Sequence, residues 1–189
     1  ADTIFLAELA LDGRLRPVRG VLPCALAARA AGLRRLVVAA ENVPEAAVVA
    51  GLDVLSAPDL AAVAALLRTG FAGATPARPG PAADATFADP ADLADVRGQD
   101  HAKRALAIAA AGAHNLLMIG PPGSGKTMLA RRIGGLLPPL TDEEALDVTR
   151  VHSVAGLLQG GGLIRQRPFR APHHNVSGVG LIGGGSIPR

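Results

Sequence analysis

The stretch GPPGSGKT, Gly120 to Thr127, constrains the fold of this chain more than any other segment, because it matches G-x-x-x-x-G-K-[ST] in full. It lies between an apolar run, Asn115 to Ile119, that reads as a buried strand, and a run from Met128 to Leu137 that reads as a helix stopped by Pro138-Pro139. A strand, a glycine-rich loop and a helix in that order belong to an α/β domain with a parallel sheet. Glycines 120, 123 and 125 allow the backbone conformations and close approach that let several N–H groups converge on phosphate oxygens. The start of the following helix adds its positive dipole end. Lys126 is placed to reach the β and γ phosphates of a nucleoside triphosphate, and the Thr127 hydroxyl to ligate Mg²⁺. The expected nucleotide site is thus Gly120, Pro121, Pro122, Gly123, Ser124, Gly125, Lys126 and Thr127, with ATP and Mg²⁺ as cofactors.

Hydrolysis requires a carboxylate at the end of a neighbouring strand to help hold the metal, and usually a second acid to orient water. After Thr127 the acids are Asp142, Glu143, Glu144 and Asp147. All four fall in one expected helix, opened by Thr141 and Glu144 in a capping-box pattern and running to about Val154. None follows an apolar strand run. These residues are therefore expected to bind ATP without turning it over, and no residue of the chain is assigned as catalytic.

Upstream, Ile4–Leu11 and Arg14–Val18 flank Asp12-Gly13, which predicts a hairpin closed by a type I′ turn. A helix is expected over Pro23–Ala31 and ended by Gly32, then a strand over Leu36–Ala39 and a helix over Pro44–Ala50 ended by Gly51. A strand over Asp53–Leu55 and a helix over Pro58–Arg68 follow, the latter with Leu60, Val63, Leu66 and Leu67 on one face. Residues 69–91, dense in Pro, Gly, Ala and Thr, read as a linker. Beyond it Gln99–Ala111 reads as a helix offering Ala102, Ala105, Leu106, Ala109 and Ala110 for packing.

Composition narrows the function classes. Nearly half of the 189 residues are apolar, enough for a sizeable core. No apolar run reaches the roughly 18 residues of a membrane span, so the chain reads as soluble and without a membrane partner. The first residues lack Met and show no signal-peptide pattern, as expected of an excised piece. The single cysteine, Cys24, suits a cytoplasmic location. The net charge of +3 does not by itself imply a nucleic-acid partner.

DVRGQDHAKRALAIAAAGAHNLLMIGPPGSGKTMLARRIGGLLPPLTDEEALDVTRVHSVAGLL, with RPFRAPHH and GGGSIPR after it, resembles the magnesium-chelatase-like AAA+ ATPases of the ComM/YifB type across Asp92–Arg189. FLAELALDGRLRPVRGVLPCALAARAAGLRRLVVAAENVPEAAVV resembles part of the Lon-protease-like domain that precedes the ATPase in that family. The resemblance implies a partial Lon-like domain over 1–68, a linker over 69–91 and a truncated ATPase domain over 92–189. Active Lon-type proteases carry a catalytic lysine two positions after the glycine that matches Gly20. That position is Leu22, so no peptidase activity is implied. Gly98 and Gln99 match the segment near the adenine. The Arg167–Gly185 region matches a hairpin lining the pore of a hexameric ring through which DNA passes, and the implied activity is ATP-driven branch migration or unwinding of DNA in natural transformation.

From the residues themselves, Arg165, Arg167 and Arg170 beside Phe169 offer charge for a DNA backbone and a ring for stacking. Arginines contacting solvent or a neighbouring subunit are the other reading. A regulatory nucleotide-binding module that never hydrolyses ATP, and a magnesium chelatase ATPase subunit, are the alternatives, the second disfavoured by the Lon-like residues. Arg131 and Arg132 read as salt-bridged or solvated rather than catalytic. GVGLIG, Gly178–Gly183, lacks the helix and acid of a dinucleotide site. Adjacent His173 and His174 point to opposite faces of an extended segment and do not readily share a metal.

Overall fold

The computed structural model describes residues 2–77, 92–158, 162–173, 175–178 and 180. It is mixed α/β, and its residues fall into two units, one within Ala1–Ala85 and Asp142–Arg165, the other within Thr86–Thr141 and Gln166–Arg189.

In the first unit, strands β1 (Thr3–Leu6), β4 (Arg35–Val38) and β5 (Asp53–Ser56) form a parallel sheet in the order β1-β4-β5, with Ile4 opposite Leu36 and Leu36 opposite Val54. Side chains alternate across a strand, and here both faces are covered, as parallel sheets require. Leu36, Val38 and Val54 pack with Val21, Leu22 and Ala25 of helix α1 (Val21–Ala30) and Ala46 of helix α2 (Val43–Ala46). Val37 and Leu55 face the other way, onto Val63 of helix α3 (Leu60–Arg68), with Leu66, Phe71 and Ala74 around them. The Asp2 carboxylate meets Arg35 at 2.9 Å beside the first register pair. The Thr3 hydroxyl, and then Arg35, hold that carboxyl below its ordinary value.

Several expectations shift. Strand β2 (Glu8–Leu9) pairs antiparallel with β3 (Leu15–Arg16), so the hairpin exists. Its turn is not type I′: Gly13 N donates to Ala10 O and has φ +84°, while Asp12 is not among the residues of positive φ. Leu11-Asp12 followed by a left-handed glycine is the three-residue, bulged alternative. The expected second helix, Pro44–Ala50, is shorter: α2 covers only Val43–Ala46 and is preceded by a 3-10 turn over Ala40–Asn42. Helix α3 starts at Leu60 because the Asp59 side chain accepts from Ala62 N at 2.8 Å as an N-cap. Its face is only half used: Val63 is buried, whereas Leu60 and Leu67 are exposed. Past Arg68 the chain keeps packing. Phe71 lies under the Arg35 guanidinium at 4.9 Å, and Ala77 N donates to Val54 O. Residues 78–91 of the expected linker lie outside the described residues.

Helix α7 (Asp142–Ala155) begins one residue after Thr141, where the capping pattern puts it. It packs within the first unit, although the sequence groups it with the phosphate loop. Two polar ties hold it. Glu45 Oε1 accepts from Leu22 N at 2.9 Å and from the Ser153 hydroxyl, and Ser153 O accepts from Gly20 N. Thr149 Oγ1 accepts from Ile164 N at 2.9 Å, anchoring the chain beyond the helix beside the buried Ile164.

The second unit has a small core of Val96, Leu106 and Leu129, with Met118 and Ile133 against it. Leu106 and Ala109 of helix α4 (Asp100–Gly112) point inward, but Ala105 is exposed. The expected helix after the loop is broken at Arg132 into α5 (Lys126–Arg131) and α6 (Ile133–Leu136). Asn115–Ile119 is not the buried strand expected: Leu117 and Ile119 are 83% and 89% exposed, and only Met118 reaches the core. A buried strand needs partners on its edges, and among the described residues no strand pairs with it.

Glu45 serves two donors at once, so Glu45→Ala should lower stability by about 1–3 kcal/mol through the buried groups left without an acceptor. A urea midpoint in the full-length protein that does not move would show that neither bond contributes to stability.

Candidate phosphate-binding site

The loop Gly120–Thr127 turns on two left-handed glycines, Gly123 at φ +79° and Gly125 at φ +85°, the second being the N-cap of α5. Open space surrounds the position a Cβ would take at Gly123. At Gly120 a Cβ would come within 3.0 Å of Ser124 Oγ, and at Gly125 within 3.3 Å of Gln99 Nε2 and of Met128 Cε. The loop is therefore packed from behind and open at Gly123.

Lys126 Nζ folds onto its own loop, donating to Gly120 O at 2.7 Å, Pro121 O at 2.8 Å and Ser124 Oγ at 3.3 Å. Thr127, next along, is exposed, as are Pro121 and Pro122. Leu129, one turn further, is buried and fixes the helix to the core of the unit. The arrangement fits a triphosphate with its cation: an ammonium at the loop, an exposed threonine beside it, and open space at Gly123.

Gly98 and Gln99 both adopt left-handed backbone, φ +66° and +57°, immediately before α4. For Gln99 that conformation costs about 1–2 kcal/mol. It brings the side-chain amide over the loop, where Nε2 donates to Ser124 O at 3.4 Å. Sequence pattern names this pair only through resemblance. The signal for the contact was the Gly-Gln dipeptide ahead of a helix, which does not reveal where the side chain falls.

Of the acids after Thr127, Asp142 is paired with Arg165 at 2.7 Å and Asp147 with Arg150 at 3.1 Å, and all four lie on α7. No group of three His, Cys, Asp or Glu among the described residues could hold a metal. Arg132 is engaged structurally, donating to Asp92 O and Met128 O and lying 3.5 Å from Asp95. Among the DNA-contact candidates, Arg165 is drawn into its ion pair and Arg167 Nε donates to Pro138 O at 2.9 Å. Phe169 and Arg170 are exposed on a stretch that is neither helix nor strand. His174 and residues 181–189, with most of GVGLIG and the end of the expected pore hairpin, lie outside the described residues.

Residues 92–189 match the family described as magnesium chelatase, subunit ChlI, and residues 1–42 match one described as subunit ChlI of Mg-chelatase. The chain is 53% identical over 188 residues to an uncharacterized protein of Mycobacterium tuberculosis. It is 46% identical over 187 residues to competence protein ComM of Haemophilus influenzae, and 46% over 184 residues to the uncharacterized protein YifB of Escherichia coli. These alignments cover 97–98% of this chain but 36% of each relative, so the chain spans about a third of their length.

Gly123→Ala separates the cradle from the fold. Strained φ alone should cost about 1–2 kcal/mol of stability, while the methyl group projects into the open side of the loop and lowers triphosphate affinity further. Thermal melting and nucleotide titration on the same sample check both halves.

Proposed function

The chain belongs to the magnesium chelatase subunit ChlI family, and on that premise we propose that it is the ATP-binding part of an AAA+ motor of the ComM type acting on DNA. The Lys126 ammonium, held on three oxygens of a loop open at Gly123, supports this most directly. On binding, Lys126 exchanges its carbonyl partners for β and γ phosphate oxygens, and the backbone N–H groups from Gly123 to Thr127 take the remaining charge. Thr127 would hold Mg²⁺ through its hydroxyl, and the bound cation would supply positive charge against the phosphates. Gly98 and Gln99 lie on the side of the base. ATP is gripped from one end only; the acids that would position metal and water come from the rest of the longer protein, so these residues alone do not hydrolyse it.

In the same reading, Arg165, Arg167 and Arg170 meet the DNA backbone and Phe169 offers a ring for stacking, the Lon-protease-like residues within 1–68 are a scaffold or oligomerisation element without peptidase chemistry, residues 69–91 join it to an ATPase domain over 92–189, and the full-length protein works as a cytoplasmic homo-hexamer in DNA branch migration or unwinding. Similarity to ComM over nearly the whole chain supports it. A magnesium chelatase ATPase subunit is the second reading, favoured by the descriptions of both matched families. DNA binding by the full-length protein separates the two. A non-hydrolysing regulatory module is separated by phosphate release.

Lys126→Ala should weaken ATP binding by about 1.5–3 kcal/mol, the worth of a charge-assisted hydrogen bond, and abolish phosphate release by the full-length protein; unchanged calorimetric affinity removes the assignment. Arg167→Ala with Arg170→Ala should lower DNA affinity and flatten its salt dependence by about two phosphates' worth. A fluorescence anisotropy titration at several salt concentrations with no change in slope assigns these arginines to structure instead.

A further inference from the structure

We propose that Gln99 is a positioning residue for the phosphate loop, acting on Lys126 through Ser124 rather than by reading the base. The inference rests on the nucleotide-binding reading above. Its basis is a short polar relay within one unit. Gln99 Nε2 donates to Ser124 O at 3.4 Å, and the hydroxyl of the same Ser124 accepts from Lys126 Nζ at 3.3 Å. The Gln99 amide also lies against Gly125, where a Cβ would stand 3.3 Å from it. Gln99 thus touches the loop at the residue before the helix and at the carbonyl that orients Ser124.

The backbone supports a built contact. Gln99 takes a left-handed conformation that L side chains rarely adopt, next to Gly98 in the same region. A glycine at position 99 would hold that conformation without strain. The side chain is retained at a conformational cost, and what it reaches is the loop. With the Ser124 carbonyl pinned, its hydroxyl stays on the lysine and the ammonium stays at the mouth of the cradle. Removing the amide donor frees that carbonyl, and the lysine loses its side-chain partner's orientation.

The test uses the full-length protein with three probes: ATP, GTP and inorganic tripolyphosphate. Gln99→Gly relieves the backbone and deletes the side chain; Gln99→Met keeps length and packing over Gly125 but cannot donate. Each should weaken all three probes by a common factor of about three to ten, the range of one ordinary hydrogen bond. The melting temperature of the Gln99→Gly variant should stay at or above that of the parent, which a merely structural role would not allow. Loss of ATP affinity with tripolyphosphate unchanged would assign Gln99 to the base and overturn the proposal. Full affinity in Gln99→Met would overturn it too, leaving packing as the cause. If the unsubstituted protein bound neither ATP nor tripolyphosphate, the nucleotide-binding reading itself would fail, a result distinct from both.

Discussion

An ammonium group needs oxygens around it, and Lys126 meets that need with Gly120 O, Pro121 O and Ser124 Oγ of its own loop. The loop is thereby closed on itself before any ligand arrives. That closure dictates where side chains are tolerated. A Cβ at Gly120 or Gly125 would press on Ser124 Oγ or Gln99 Nε2, which would have to shift, whereas Gly123 opens outward. Helix α5 starts at the lysine, and Leu129 one turn later is buried with Leu106 of α4. The lysine, loop, helix and core of the second unit form one chain of dependence, and an anion that takes the ammonium has first to displace the loop oxygens from it.

The first unit obeys a different constraint. A parallel sheet must be covered on both sides, and alternation along Leu36-Val37-Val38 sends neighbours to opposite cores. Leu22 sits wholly inside one of them, its N–H on Glu45. By the resemblance to Lon-type proteases, it is the position that matches their catalytic lysine. A charged amine there would lie among Val21, Ala25 and Leu36, an environment that penalises an unpaired cation heavily.

Much of this was legible in the sequence where local rules decide. The phosphate loop is a complete motif, α7 begins just after Thr141 as the capping pattern puts it, and Gly32 ends α1 at φ +76° with Leu33 N returning to Ala28 O. Legibility failed where distant residues decide. Asp12-Gly13 fits two kinds of turn, and the register Leu9 to Leu15 selects the bulged one. Leu116–Ile119 carries every mark of a buried strand, but burial depends on neighbours that a run of apolar letters does not supply. The site shows the same division. Gly120–Thr127 could be named from pattern alone, whereas the reach of Gln99 to Ser124 depends on two successive left-handed residues. No propensity scale anticipates that for glutamine. The partnership of Glu45 with Ser153 joins residues 108 positions apart.

The extended run around Leu117 and Ile119 bears on how these residues behave in solution. Two greasy side chains project from backbone that no described strand hydrogen-bonds. Exposed apolar side chains of this size favour association with another apolar surface. Left uncovered, the pair favours self-association at high concentration, and a charged residue at either position opposes it.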